Sequence, residues 1–312
     1  MLFIRVTISQ HDDSASSLIP RTSYLMIRGA IYGLSAAAIW GGMYVVSDVV
    51  LQTIPPFTLL TIRLMLGIAI LGVIVWRLAL KLPAHSDLLR MLGVGIVGFG
   101  VSIGAQFVGT DKSNALNGTL VTSASPAFIL IFAALILREK LTLQRIAAVT
   151  LATVGVVVIV DPSKADFNSE TFAGNVILAL AAVTWGLYSV LIRQVSARLD
   201  TLIVTLLAFV GGIGLTLPAA AFELQSRPIG EINLWVTLGV LYLGVMSTAV
   251  ATWLWNRAFA LVDASVASLF FFAQPLVGAL LSAFIGQNMT PTMWIGGVLI
   301  ILGVLLSLYP ID

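Results

Sequence analysis

The stretch ASVASLFFFAQPLVGALLSAFIGQNMTPTMWIGGVLIILGVLLSLYPI, residues 264–311, runs for 48 residues without an acidic or basic side chain. A helix needs about 20 apolar residues to cross a bilayer, so this stretch is long enough for two crossings. The Gly-Gln-Asn run at 286–288 and the nearby Pro291 favour a break between two helices. The stretch therefore predicts a helical hairpin inside a membrane.

The rest of the chain has the same character. Of its 312 residues, 59% are hydrophobic and 10% are charged, and the mean hydropathy is +1.05. About a quarter of the residues of a soluble protein are charged. This composition excludes a soluble enzyme, a nucleic-acid-binding domain and a disordered chain. Cysteine is absent and histidine occurs only at His11 and His85, so no zinc site of the usual ligands is expected.

Charges divide the chain into ten apolar segments. The region 49–76 is interrupted once, by Arg63, and residues 264–311 divide in two. Counting all segments predicts an all-α integral membrane protein with ten transmembrane helices. The remaining charge-free stretches are 29–47, 91–110, 113–137, 146–160, 171–192, 201–222 and 232–256.

Lysine and arginine set the orientation, because they are retained on the cytoplasmic side of a membrane. With residues 1–28 as a cytoplasmic tail and strict alternation, the inner segments hold 12 basic residues, and the outer loops hold only Lys112, Lys164 and Arg227. The longest outer loop, residues 161–171, is net acidic. We therefore predict a multi-pass protein of the cell (inner) membrane with both termini in the cytoplasm.

The chain contains an internal repeat, with residues 29–160 and 172–309 as its two copies. Each copy has five predicted helices, and an odd number makes consecutive copies enter the membrane from opposite sides. Inverted repeats are typical of secondary transporters, in which two similar halves exchange conformations. Four pairs of anchors recur in the same order at offsets of 143 to 149 residues: Trp40-Gly41 and Trp185-Gly186, Thr58-Leu59-Leu60 and Thr201-Leu202-Ile203, Ala115 to Pro126 and Ala264 to Pro275, and Gly155-Val156-Val157 and Gly303-Val304-Leu305.

These features resemble the EamA-type family of the drug/metabolite transporter superfamily over nearly all of residues 29–309. The likeness is carried by Trp-Gly in the first helix of each half and by Arg63 in the second helix. It is also carried by the run from Ala115 through Pro126 to Glu139-Lys140-Leu141-Thr142. The resemblance implies a ten-helix carrier of small metabolites, often an exporter of amino acids or related compounds.

The chain departs from the family pattern at two places. In the second half, the position that corresponds to Glu139 falls on Gln287 or Asn288, and neither side chain ionises. In the first helix, Asp48 stands where such proteins often have lysine. A coupling mechanism that needs those charges therefore does not carry over to this chain directly.

Asp48 and Arg63 are the least expected residues of the apolar region. An ionised side chain near mid-membrane costs on the order of 2.5–3.5 kcal/mol. Both residues lie at neighbouring outer ends of the first two helices, which the Pro55-Pro56 turn connects. Three interpretations stay open: a neutralising ion pair, a gate or anionic-substrate contact made by Arg63, and proton carriage by Asp48.

Aromatic and polar side chains on helix faces form the candidate binding site. Spacings of three and four residues place Trp40 with Tyr44, and Trp185 with Tyr188 and Ser189, on single helix faces. Indole and phenol groups suit a polar cavity better than lipid tails. The predicted substrate-binding residues are Trp40, Tyr44, Arg63, Gln106, Thr122, Trp185, Tyr188, Ser189, Trp253, Asn256, Phe271 and Gln274.

Two prolines are candidate hinges. Pro126 and Pro275 lie at matching places inside the fourth and ninth predicted helices. Proline removes a backbone hydrogen bond from a helix and permits a bend there. Bending at these two positions is one way in which the halves could change shape.

The sequence therefore predicts a secondary active or facilitative transporter that works by alternating access. Its expected substrate is a small metabolite, such as an amino acid, an amine or a related compound, and the expected direction is export. Its expected partners are the small-molecule substrate and the lipid bilayer, with the solute gradient or protons as the driving force. No cofactor, metal or nucleic acid is expected, and the membrane region has no catalytic constellation. Two alternatives stay open: a nucleotide-sugar or sugar-phosphate carrier, which needs two or more cations for phosphate, and a non-transporting sensor or scaffold.

Overall fold

The first half of the chain forms helices α1 to α5. The computed structural model describes residues 21–113, 115–160, 169–196, 198–277 and 291–308. Helix α1 begins inside the predicted tail of residues 1–28. The bounds are Arg21–Gly41 continuing as Met43–Leu51 (α1), Pro56–Arg77 (α2), His85–Gly95 continuing as Ile96–Ser102 and Ile103–Lys112 (α3), Ala115–Thr122, Ser125–Phe132 and Ala133–Leu137 (α4), and Leu143–Val160 (α5).

The second half forms helices α6 to α10. The first of them starts within the predicted outer loop of residues 161–171, whose residues 161–168 lie outside the described ranges, as do Gln287 and Asn288. The bounds are Ser169–Ser196 (α6), Thr201–Ser226 (α7), Leu234–Leu241 continuing as Tyr242–Val250 and Ala251–Leu261 (α8), Ala264–Ala267 continuing as Ser268–Phe272 and then to residue 277 (α9), and Pro291–Leu308 (α10).

Most of these helices have the length and composition of membrane spans. Among the described residues, seven stretches are long and apolar enough to cross a bilayer, and they fall in α1 to α4 and α6 to α8. Shorter apolar stretches lie in α5, α9 and α10, at 143–158, 264–277 and 294–306. The prediction of an all-helical membrane protein is confirmed, and the count of ten crossings stays a prediction.

Several helices change their winding partway along. Wide π-helical turns occupy Ile96–Ser102 in α3, Ala133–Leu137 in α4 and Tyr242–Val250 in α8. A tighter 3-10 segment occupies Ser268–Phe272 in α9. A π-turn hydrogen-bonds five residues back rather than four, and such turns occur frequently at functional sites. The turns in α3 and α8 therefore mark the middle of the bundle as a region of interest.

The principal packing joins the first five helices to the last five. Helix α5 packs on α10, α2 on α7, α1 on α8 and α3 on α6. The π-turn of α3 also contacts α7, and the π-turn of α8 contacts α2. Large rings from both sets belong to one buried cluster, in which Phe107 of α3, Tyr188 of α6 and Trp255 of α8 are fully buried. The two halves consequently share one aromatic core.

Helices α5 and α10 approach so closely that glycine is required on both. A Cβ atom on Gly155 would lie 2.7 Å from the carbonyl oxygen of Gly296, and one on Gly303 would lie 2.8 Å from that of Ala148. The contact is therefore reciprocal, with the glycine of each helix facing the backbone of the other. Helices in lipid associate through such small residues, because burial against lipid tails offers no hydrophobic gain.

Replacing Gly155 or Gly303 with alanine should lower the free energy of unfolding by about 1–3 kcal/mol, because the two backbones must move apart. Gly72→Ala is the matched control in α2, since a Cβ atom there meets nothing within 4 Å. Thermal unfolding in detergent compares the three variants. Equal melting temperatures for all three would contradict the close approach of α5 and α10.

Candidate functional site in a buried aromatic cavity

A cavity lies between the two sets of helices, and α1 to α4, α6, α8 and α9 all contribute to its lining. Its volume, taken as the space open to the centre of a water molecule, is about 30 Å³. A single water needs roughly 10–15 Å³ by that measure. The cavity is therefore small in this contracted form, and a metabolite needs more room than it offers.

Aromatic rings from both halves form the walls. The rings of Trp40 and Trp185 meet edge to face, with centroids 5.6 Å apart and planes at 80°. Phe271 lies 6.4 Å from Trp40, and Phe99 lies 6.4 Å from Trp185. The indole N–H of Trp40 donates to the carbonyl oxygen of Ser247 at 2.8 Å. The two tryptophans that mark the sequence repeat thus meet at the junction of the halves.

Arg63 brings a cation into this apolar setting. Its side chain projects from α2 and the residue is only 3% exposed. Nε donates to Thr248 Oγ1 at 2.9 Å, and one terminal nitrogen, Nη2, donates to Ser247 Oγ at 3.2 Å. The guanidinium carbon lies 4.8 Å from the centroid of the Phe107 ring. Neutral groups therefore hold the charge in place.

Two buried donors at the cavity lack partners. Within the described residues, Nη1 of Arg63 and the indole Nε1 of Trp185 donate to no acceptor within hydrogen-bond distance. Both residues line the cavity. Because a buried donor without an acceptor is destabilising by about 1–3 kcal/mol, the pair identifies a place that is suited to an acceptor group of a ligand.

Tyr44 is tied to the opposite wall. The hydroxyl of Thr122 donates to the carbonyl oxygen of Gly118 at 2.6 Å. The phenol of Tyr44, 2.6 Å from Thr122 Oγ1, must then be the donor to it. This bond joins α1 to α4 across the cavity and leaves the ring of Tyr44 as part of the lining.

The structure brings together eight of the twelve predicted substrate-binding residues. The other four lie behind the lining or away from it. Asn256 donates to Tyr188 at 3.1 Å, Ser189 accepts from the indole of Trp255 at 3.3 Å, and Trp253 meets Tyr32 edge-on at 6.1 Å. The eight that line the cavity are Trp40, Tyr44, Arg63, Gln106, Thr122, Trp185, Phe271 and Gln274.

Sequence reasoning missed the residues of the π-turns. Phe99 and Ser102 line the cavity from α3, and Ser247 and Thr248 line it from α8. The π-turns begin at Ile96 and Tyr242, an offset of 146 residues that falls within the range of the repeat. Applying that offset to Ser102 would have indicated Thr248. The signal was therefore present in the repeat register.

The ion pair expected between Asp48 and Arg63 is not formed among the described residues. Asp48 is exposed, whereas its neighbour Ser47 is buried. Successive residues of a helix point about 100° apart, so burial of Ser47 turns Asp48 away from the core. Arg63 instead points to α8, where two hydroxyl groups accept from it. The gate and proton roles of these residues stay predictions.

Both candidate hinges lie at irregular points of their helices. Pro126 is the second residue of the segment Ser125–Phe132, after a two-residue interruption at 123–124. Pro275 follows the 3-10 segment Ser268–Phe272. These are positions where the helix ladder is already broken, so a change of angle there disrupts few further hydrogen bonds.

A cluster of four charged residues joins the halves where α9 begins. The Glu139 carboxylate accepts from the backbone N–H groups of Ala264 and Ser265, at 2.8 and 3.1 Å, and so satisfies the first turn of α9. Asp263 pairs with one arginine at 2.6 Å and with a second at 3.5 Å. We call this the Glu139 cluster: Glu139, Arg145, Arg193 and Asp263.

A second cluster joins the halves at the other end of the bundle. The Glu223 carboxylate accepts from the backbone N–H groups of Phe57 and Thr58 at 3.2 and 2.9 Å, in the first turn of α2. An arginine pairs with an aspartate at 2.7 Å and donates to the carbonyl oxygen of Leu51 at 2.6 Å. We call this the Glu223 cluster: Asp111, Glu223 and Arg227.

Comparison with known proteins identifies the family. The model of the EamA-like transporter family matches residues 27–161 and again residues 172–309. The chain belongs to the EamA-like transporter family. The resemblance seen in the sequence is thereby confirmed, and the protein is a multi-pass integral membrane transporter of the EamA-like type.

Relatives of this EamA-like protein also carry transporter names. An uncharacterized transporter of Archaeoglobus fulgidus is 25% identical over 273 residues, which cover 86% of this chain and 93% of the relative. The riboflavin transporter of Vibrio cholerae is 29% identical over 190 residues, 60% of each chain. A solved crystal structure with 21% identity superposes with a TM-score of 0.75 over 89% of this chain and 96% of its own, which supports the fold.

Because Asp48 is exposed and Arg63 has other partners, Asp48→Asn should change the stability of this EamA-like protein by less than about 0.5 kcal/mol. Thermal unfolding and the yield of monodisperse protein measure the effect. A clear loss of stability that Asp48→Ala combined with Arg63→Ala restores would instead show that the two charges pair in the membrane.

Proposed function

We propose that the protein is a carrier that moves a small metabolite across the cell membrane by alternating access between two inverted five-helix halves. The observation that carries this proposal is the cavity itself. It is buried, it receives side chains from both halves, and it presents hydrogen-bond donors among aromatic rings. A sensor or scaffold has no need of an aromatic cavity with buried hydrogen-bond donors at the junction of two similar units.

The two halves correspond in more than sequence. The family model matches each half separately, at 27–161 and 172–309. The packing of α1 on α8 has its counterpart in α6 on α3, and the contact of α3 with α7 has its counterpart in α8 with α2. The glycine contact between α5 and α10 is likewise symmetric, because these are the fifth helices of the two halves and each places a glycine against the backbone of the other. These correspondences support a two-fold relation between the halves, which five crossings per half would make an inverted one.

Ten crossings would give one crossing to each of the helices α1 to α10 of the described residues. The three shorter ones pack against long partners or against one another, as α5 does on α10. With α1 crossing outward first, the Glu139 cluster lies on the cytoplasmic side and the Glu223 cluster on the outer side. Both termini are then cytoplasmic, in agreement with the distribution of lysine and arginine.

The clusters supply a closure at each end of the cavity. Each joins residues of the first half to residues of the second: Glu139 to the start of α9, and Glu223 to the start of α2. The two ends of the bundle are far apart, since helix α7, with 26 residues, is about 39 Å long. Opening one end while the other stays closed requires breaking one cluster only, and this is the event that alternating access needs.

The driving force is a solute gradient or a proton gradient. The sequence has no glycine-rich phosphate loop that ends in Lys-Ser or Lys-Thr, so no nucleotide-driven step is proposed. Asp48, a carboxylate near the outer end of α1, remains a candidate for proton carriage.

Protein reconstituted in liposomes should show saturable counterflow of at least one solute from a radiolabelled panel of amino acids, amines, aromatic carboxylates and riboflavin. Trp40→Phe removes the bond to Ser247 and should lower the flux about tenfold, the effect of roughly 1.4 kcal/mol. Arg77→Gln, at the exposed end of α2, is the matched control and should retain flux within about twofold.

Counterflow separates this proposal from its rival. A carrier that changes sides with its substrate exchanges labelled for unlabelled solute against a gradient, whereas a sensor or scaffold does not. Folded wild-type protein that gives no saturable flux with any member of the panel would favour the sensor or scaffold.

A further inference from the structure

The charge balance of the cavity is one-sided. Among the described lining residues, Arg63 is the one with a charged side chain, and no aspartate or glutamate accompanies it. Its own bonds go to the hydroxyl groups of Thr248 and Ser247. A buried cation that only neutral dipoles compensate is most stabilised by a bound anion. The cavity therefore favours a ligand with one negative charge.

The unpartnered donors specify where that charge sits. Arg63 Nη1 and Trp185 Nε1 lack acceptors within the described residues. Arg63 and Trp40 both contact Ser247, and Trp40 in turn packs against Trp185, so Arg63 and Trp185 belong to one aromatic lining. A carboxylate has two oxygens and can accept from two such donors at once.

The walls specify the rest of the ligand. In the contracted state the rings of Trp40, Trp185 and Phe271 fill the space by packing on one another. Opening the cavity separates these rings and loses their contacts. A flat aromatic ligand replaces ring–ring contacts with equivalent ones, at centroid distances of about 4.5–7 Å. A branched aliphatic or a sugar does not.

We propose that the cavity binds a monocarboxylate that carries a flat aromatic ring, with the carboxylate on Arg63 Nη1 and Trp185 Nε1 and the ring between Trp40 and Phe271. The proposal rests on the proposed carrier function and names its substrate class. An aromatic amino acid is the weaker ligand, because its ammonium finds no carboxylate in the lining. A phosphate dianion is also weaker, because only one cation meets it.

Four probes with the same phenyl ring test the proposal: 3-phenylpropanoate, 3-phenylpropanamide, L-phenylalanine and 2-phenylethylamine. The thermal stability of detergent-solubilised protein, titrated with each probe, gives relative affinities, since a ligand of the folded form raises the apparent melting temperature. The propanoate should bind at least tenfold more tightly than the amide, which lacks the charge, and than phenylalanine, which adds an ammonium.

Two variants locate the carboxylate. Arg63→Gln should abolish the stabilisation by 3-phenylpropanoate, and Trp185→Phe, which keeps a ring and removes the N–H, should weaken it about three- to tenfold. Arg77→Gln on the same helix should leave it unchanged. If Arg63→Gln does not fold, the effect of Trp185→Phe on 3-phenylpropanoate binding alone tests the position of the carboxylate.

The outcomes separate the substrate class from the carrier function. Equal or tighter binding of the amide, the zwitterion or the amine, or no binding of the propanoate, overturns the proposed class, whether or not counterflow of other solutes persists. Binding of the propanoate that neither Arg63→Gln nor Trp185→Phe weakens also overturns it. Selective propanoate binding that both variants weaken supports the class even if no probe shows counterflow, a result that would overturn only the carrier function.

Discussion

The hydrogen bond from the Trp40 indole to the carbonyl oxygen of Ser247, 2.8 Å long, ties the first helix of one half to the π-turn of the other. A polar backbone group inside a bilayer must find a partner within the protein. Helices that depart from regular winding therefore belong at the protein interior, and the π-turns of α3 and α8 lie there. The cavity forms where these two π-turns meet, because they give the lining hydroxyl and carbonyl groups.

The same constraint shapes the two ends of the bundle. A helix that starts in or near the membrane leaves N–H groups that require acceptors. Glu139 and Glu223 satisfy the first turns of α9 and α2, and each does so across the junction of the halves. Each of these carboxylates therefore caps a helix and joins the two halves through the same hydrogen bonds.

Sequence alone predicted the helical class, the apolar segments, the family and eight cavity residues, because lipid imposes a simple pattern on composition and because aromatic residues at helical spacing are costly in lipid. It did not predict the partners of Arg63. Hydroxyl groups such as those of Ser247 and Thr248 are equally compatible with helix packing, and only the π-turn of α8 directs them to the cavity. An ion pair between Asp48 and Arg63 is one of three interpretations that their place near one turn allows, but the 100° step of the helix turns Asp48 away from Arg63. The reach of Glu139 and Glu223 across the junction depends on tertiary contacts that no local pattern encodes.

In the proposed carrier, the two halves move against each other to open the ends of the cavity in turn. Distances between spin labels measure this directly in liposomes. One pair, Lys140→Cys with Arg198→Cys, spans the Glu139 end, and another, Gln52→Cys with Ser226→Cys, spans the Glu223 end; all four positions are exposed, and the chain has no native cysteine. An alternating-access carrier should show two distance populations at each end, and a ligand of the cavity should shift the two ends in opposite senses. A single distance at both ends, unchanged by any ligand, would contradict it.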